Sequence, residues 1–176
     1  KLSGAVKGRT VEAARILGGR GHRVVLYEAQ PALGGQLRLA CRASWRKDLV
    51  GVIEWRVAEL ESLDVTVHTS AWADLGTVLA HEPDYVIVAT GGMPMFDIGE
   101  GEVHCASTWD FLARTTARGA AETIVIYDGT GRHGAITAAE HAHALGYDVE
   151  LVCLDDHFGM ELAYAEQVSW KRRAYE

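Results

Sequence analysis

Gly129, Gly131 and Gly134 follow the apolar run TIVIYD in G-x-G-x-x-G spacing. Each glycine has a separate task in such a turn. The first permits a tight bend, the second lets a pyrophosphate approach the backbone, and the third allows a helix to pack closely on a strand. The helix that begins near Ala135 would aim its first N–H groups and its positive dipole end at the phosphates. Asp155 stands at the end of the next apolar run, DVELVCL, where an acid accepts hydrogen bonds from ribose hydroxyls. Strand, turn, helix, strand and acid in that order point to dinucleotide binding. An acid at that place disfavours a 2′-phosphate, so NAD is expected over NADP. The alternative is a glycine turn that merely joins strand to helix.

The beginning of the chain repeats this plan with its glycines displaced. Glu28 ends the run RVVLYE and is followed by AQPALGGQL, so Gly34, Gly35 and Gln36 suit a loop passing close to a bound nucleotide. The phosphate turn expected before VEAAR reads GAVKGRT, in which only Gly4 and Gly8 are available, at the wrong spacing. The strand that should precede it is almost absent, so this unit alone should hold a pyrophosphate poorly.

The elements that would position these residues alternate along the chain. TVEAARILGGRGH reads as a helix with Val11, Ala14 and Leu17 inward, and RVVLYE as a short buried strand. Residues 47–63 place Leu49, Ile53, Val57, Leu60 and Leu63 on one helical face. VTVHT is expected as a strand, AWADLGTVLAHE as a helix, and DYVIVATGG as a strand ending in glycines. STWDFLAR should open a helix capped by Ser107 or Thr108. TIVIYD, the helix through Ala144 and DVELVCL close the pattern as a βαβ unit. Such alternation predicts an α/β fold with a mostly parallel sheet covered on both faces.

Composition excludes several classes of function. The 176 residues include 19 glycines, are 48% hydrophobic and carry a formal charge of −7, which suits a globular chain and leaves no basic footprint for nucleic acid or a membrane surface. No apolar run approaches the roughly 18 residues of a spanning helix, and no signal peptide opens the chain, so a cytoplasmic protein is expected. Cys41, Cys105 and Cys153 form no C-x-x-C pair, which argues against a zinc or iron–sulfur site made by this chain. Cys153 reads as a small buried hydrophobe. His141 and His143 lie about 200° apart around a helix, so with His133 and Glu140 they do not make a metal site, and they read as partly exposed helix histidines. Ser107, His104 and Asp110 lack the strained elbow of a catalytic serine. The five tryptophans, Trp45, Trp55, Trp72, Trp109 and Trp170, are scattered and read as core or interface residues, and KRRAYE as a solvated helix end.

Three stretches together, VEAARILGGRGHRVVLYEAQPALGGQLRLA, PDYVIVATGG and YDGTGRHGAITAAEHAHALGYDVELV, resemble the C-terminal half of the trimethylamine dehydrogenase and 2,4-dienoyl-CoA reductase-like NADH:flavin oxidoreductases. The resemblance runs from Val11 to Glu176. It implies Rossmann-like nested dinucleotide-binding units, with residues 1–120 an FAD- or ADP-binding-like unit and residues 121–176 an NAD(P)-binding-like βαβ unit. In such proteins an N-terminal barrel carries FMN and a four-iron cluster. By the same resemblance Glu28 would bind the adenosine ribose, and Gly34, Gly35 and Gln36 would lie along FAD. Thr90, Gly91 and Gly92 would form the turn where the chain crosses the cofactor, and the turn of Gly129, Gly131 and Gly134 would belong to the pyridine-nucleotide-like domain.

The chain departs from that pattern in having Ala5, Lys7 and Thr10 where the first fingerprint has glycines. The barrel and its cluster cysteines are not in this sequence either, so it is expected to be a fragment or a degenerate copy. The implied function is a cofactor-binding module of a flavin-dependent oxidoreductase. It would hold FAD and relay electrons between a pyridine nucleotide and a flavin or iron–sulfur partner domain, with no catalytic acid or base of its own. The rival is a non-catalytic ADP- or NAD-binding or docking domain. The substrate and the oligomeric state are left open.

Overall fold

The apolar spacing of Val11, Ala14 and Leu17 produces helix α1 (Gly8–Gly19) in the computed structural model, which describes residues 8–95, 98–115 and 123–175. The chain divides into two units: unit 1 comprises Lys1–Cys41 and Lys47–Met93, unit 2 Arg42–Arg46 and Pro94–Glu176.

In unit 1, α1 leads into β1 (Val24–Tyr27), a short helix α2 (Gln36–Ala40), α3 (Val50–Glu61), β2 (Val65–His68) and α4 (Leu75–Leu79). β1 and β2 pair in parallel, Val24 opposite Val65 and Tyr27 opposite His68. All four β1 residues are buried, as expected of a strand covered on both faces. The core joins Val11 and Ala14 of α1, Val24 and Leu26 of β1, Leu33, and Leu60 of α3, with Leu17, Val57, Val65 and Val67 packed against it. Val11 and Leu26 are almost wholly enclosed, each burial contributing about 1.5–3 kcal/mol. An ion-pair staple closes the outer side of α1 against α3. Glu12 accepts from Arg15 at 2.8 Å and from Arg56 at 2.8 Å.

Unit 2 contains α5 (Thr108–Leu112), β3 (Thr123–Asp128), α6 (His133–Ala144), β4 (Asp148–Cys153) and α7 (Tyr164–Tyr175). β3 and β4 pair in parallel from Thr123 opposite Asp148 to Asp128 opposite Cys153. Phe111, Ile126, Ala135, Ala138, Ala142 and Tyr147 form one cluster; Ile136, Leu162 and Trp170 form another. Ser107 caps α5, its hydroxyl accepting from the Asp110 N–H and donating to the Asp110 carboxylate. The expected cap is therefore in place, and the serine has a structural partner.

Several expectations are corrected. The helix expected over residues 71–82 is confined to Leu75–Leu79, because the Asp74 side chain accepts from the Thr77 N–H and starts the helix there. DYVIVATGG forms no strand. Residues 85–90 find no ladder partner among the described residues, and Tyr85 and Val88 lie exposed, since apolar content without a neighbouring strand leaves the backbone groups unpaired. Helix α2 was not anticipated. Cys153 is only half-buried, its thiol turned to the Asp155 carbonyl at 3.2 Å. His141 is buried, not partly exposed. Its Nε2 donates to the Arg114 carbonyl at 2.9 Å while Phe111 meets its ring edge-on. Trp170 is in the core, whereas Trp72 is largely exposed. The displaced first fingerprint, including Gly4, Ala5 and Lys7, lies outside the described residues; Thr10 is described and buried.

Candidate functional site

In unit 1, parallel pairing holds Glu28 just past the end of β1. Its N–H donates to the His68 carbonyl at 2.8 Å, and its carbonyl accepts from the Ala71 N–H at 2.9 Å. Its Oε1 accepts from the Gln30 N–H at 2.8 Å. The side chain is buried, yet Oε2 has no hydrogen-bond partner among the described residues. A buried carboxylate oxygen left unpaired is costly unless a donor reaches it, and a ribose hydroxyl is such a donor. Tyr27, one residue earlier, is also buried. Its ring stacks on His68 at 4.8 Å and its hydroxyl meets His81 Nε2 at 2.7 Å, a grouping that spacing alone did not disclose.

The loop after Glu28 has left-handed backbone at Gly34 (φ 118°) and Gly35 (φ 48°), and α2 begins directly afterwards at Gln36. Gln36 Nε2 reaches the Gly92 carbonyl at 3.5 Å, so two separately predicted stretches meet. Gly91 also has positive φ (78°), and Thr90 is exposed. Thus Gln36 and Gly92 are brought together, while no hydrogen bond links Thr90 to Glu28 among the described residues.

In unit 2 the turn of Gly129, Gly131 and Gly134 joins β3 to α6 as its spacing predicts. Gly131 has φ 62°, and a Cβ there would lie 3.2 Å from the Glu161 nitrogen and 3.3 Å from that of Met160. Asp155 is exposed, beyond β4 at the sheet edge where the glycine turn also lies. Sequence reasoning passed over Asp128, the last β3 residue, which is buried and whose carboxylate accepts from Gly131 N–H at 2.9 Å, Thr130 N–H at 3.3 Å and Gly159 N–H at 3.2 Å. The signal was an acid directly before the first glycine.

Beside the start of α6, Arg46 meets His133 Nε2 at 2.6 Å, and both face Glu166, at 3.6 and 3.3 Å. Burial works to raise the Glu166 carboxyl, but the hydrogen bond and charge of His133, with Arg46 and a backbone donor, hold it below its ordinary value. Arg46 and Arg173 also lie over the Trp45 ring. Among the described residues no three His, Cys, Asp or Glu side chains gather as metal ligands.

Two units, each with a short parallel two-stranded sheet flanked by helices, define the class: an α/β chain. Comparison with known proteins then places it in a family. No family model matches the chain. It is 47% identical over 145 residues to the multifunctional alkene reductase/demethylase OYE of Caballeronia cordobensis, covering 82% of this chain and 21% of that protein. It is 36% identical over 163 residues to the probable N-methylproline demethylase of Rhizobium meliloti, covering 92% of this chain and 24% of that one. Among solved structures, 2-naphthoyl-CoA reductase superposes with a TM-score of 0.88 at 23% identity, over 98% of this chain and 26% of its own. Histamine dehydrogenase from Rhizobium sp. 4-9 gives 0.76 at 21% identity, over 90% and 25%. These two structures speak for the fold. The chain belongs to the trimethylamine dehydrogenase/2,4-dienoyl-CoA reductase-like family of oxidoreductases, and corresponds to part of the length of its members. Among the described residues no helix is long and apolar enough to cross a membrane.

Proposed function

We propose that this chain is a nucleotide-cofactor-holding module of a flavin-dependent oxidoreductase, and that unit 1 is the part that holds FAD or ADP. The observation that supports this most directly is Glu28, whose Oε2 is buried and without a partner among the described residues while every other polar group of the residue is paired. That oxygen would accept from the adenosine ribose. Gly34, Gly35 and Gln36 would run along the cofactor, with Thr90, Gly91 and Gly92 at the crossing, the Gln36–Gly92 contact holding the two loops together. Bound flavin would supply hydride and electron transfer; the chain's residues bind and orient it. In the whole enzyme the module would relay electrons between a pyridine nucleotide and an FMN or iron–sulfur barrel domain, in the cytoplasm. A relative 33% identical over 139 residues, from Thermoanaerobacter brockii, is an NADH oxidase, which favours NAD(P)H as the donor.

The test is titration of the chain with ADP by calorimetry and with FAD by visible absorption. Saturable binding of one of them is expected, weakened about tenfold or more by Glu28→Gln, the loss of one charge-assisted hydrogen bond. Absence of binding by either ligand would remove the reading. A second reading, a non-catalytic ADP- or NAD-binding or docking domain, is favoured by Ala5, Lys7 and Thr10 in place of glycines. ADP binding with a colourless protein that ignores FAD would select it.

A further inference from the structure

We infer that the glycine turn of unit 2 is a sealed cradle: the Asp128 carboxylate takes the amide that a pyrophosphate would need, so this turn does not take NAD(P)H, and the pyridine nucleotide of the proposed relay is held elsewhere in the whole enzyme. In a working G-x-G-x-x-G turn the second glycine's job is to let phosphate oxygens approach the backbone. Here the Gly131 N–H is already donated to Asp128 at 2.9 Å, within a buried contact. A phosphate competing for that donor would have to displace one anion and then lie beside it, against like-charge repulsion in a poorly solvated place.

The other approach to Gly131 is closed by backbone. Glu161 N–H donates to the Gly131 carbonyl at 2.9 Å, and the nitrogens of Met160 and Glu161 stand 3.3 and 3.2 Å from where a Cβ would project. The absent side chain therefore leaves room for the protein's own chain. Asp128 also accepts from the Gly159 N–H at 3.2 Å, so a single carboxylate ties the glycine turn to the covering segment.

The covering segment is built in. Gly159 has φ 69°, and a Cβ there would fall 2.8 Å from Ile136 Cδ1 and 2.9 Å from Leu162 Cδ1. Leu162 belongs to the core formed with Ile136 and Trp170. The Gln167 amide donates to the carbonyls of Met160 and Leu162 at 3.2 and 2.9 Å, anchoring both sides of the cover to α7. Opening the turn would mean dismantling this core.

The inference goes beyond the assignment of unit 1 and does not depend on it. Amide spectra of the isotope-labelled chain test it, read with NADH alone and then with ADP. With millimolar NADH the Gly131 and Gly159 resonances should stay in place, and both amides should exchange slowly with solvent. A saturable NADH-induced shift at Gly131 would overturn the inference. In Asp128→Ala, exchange at Gly131 and Gly159 should accelerate together by about tenfold or more, because the two donors lose Oδ1 and Oδ2, their respective acceptors. Acceleration at only one of them, or at neither, would also overturn it. Should that variant fail to fold, the wild-type titration decides by itself. ADP shifts at Gly34 and Gly35 in the same spectra report separately on unit 1.

Discussion

The two units differ in the opposite sense from their motifs. Unit 1 has the irregular fingerprint, yet it presents a buried acid with one oxygen unpaired among the described residues. Unit 2 has the regular fingerprint, yet its central amide is donated internally. Spacing records what backbone geometry a turn adopts; it does not record which partner satisfies the amides. The acid before the first glycine, Asp128, accepts from the turn's own Gly131 amide and from Gly159.

The largest effect that would sharpen this contrast is expected from Asp128→Ala. It strips the acceptor from three backbone donors, two of them in buried contacts, and should lower unit 2 stability by about 3 kcal/mol or more in urea unfolding. A loss below about 1 kcal/mol would mean the carboxylate does not hold the turn. Gly131→Ala should follow at about 2 kcal/mol, from left-handed backbone strain and crowding against the 160–161 backbone, again with no change in NADH binding. A variant that is stable but loses NADH affinity would reverse the comparison.

In unit 1 the expected signature is the converse. Glu28→Gln should cost ADP affinity while leaving the urea midpoint nearly unchanged, because the substitution preserves shape and keeps an oxygen to accept from the Gln30 N–H. If stability falls and affinity does not, Glu28 is a structural acid. The smallest effect concerns the α1–α3 staple. Hydrogen bonds from Arg15 first and Arg56 next hold the Glu12 carboxyl at about 2, against an ordinary 4.5. A depressed carboxyl stabilises the fold above its unfolded value, so this contribution is full above pH 4.5 and is lost as pH falls toward 2. The pair is partly exposed, so Glu12→Gln should remove under about 1 kcal/mol at neutral pH and flatten the acid limb of unit 1 unfolding.

Helix α1 and strand β1 were readable because their apolar residues recur with the period of the element and then meet a core. Residues 85–90 carry an equally apolar pattern and make no strand, because a strand exists only through its neighbour's backbone. The helix expected across 71–82 was shortened by one local contact, Asp74 on Thr77, that periodicity does not register. An acid at a strand end followed by a glycine pair made the turn after β1 legible, with Gly34 and Gly35 at positive φ before Gln36. The meeting of Gln36 with Gly92 involves a partner 56 residues away, which no local pattern specifies. His141 gave no sign of its burial, since its partner is a carbonyl beyond its own helix.

By itself the order of residues determined the parallel βα character of the chain, the position of the glycine turn between β3 and α6 and the family to which it belongs, all of which follow from short-range periodicity, from glycine's freedom and from motif resemblance. Only the tertiary structure decided that Glu28 keeps an oxygen without a partner among the described residues and that the Gly131 amide is met from within the chain. That outcome depends on what residues far apart in the chain, such as Asp128 and Gly159, do when folding places them 3.2 Å apart.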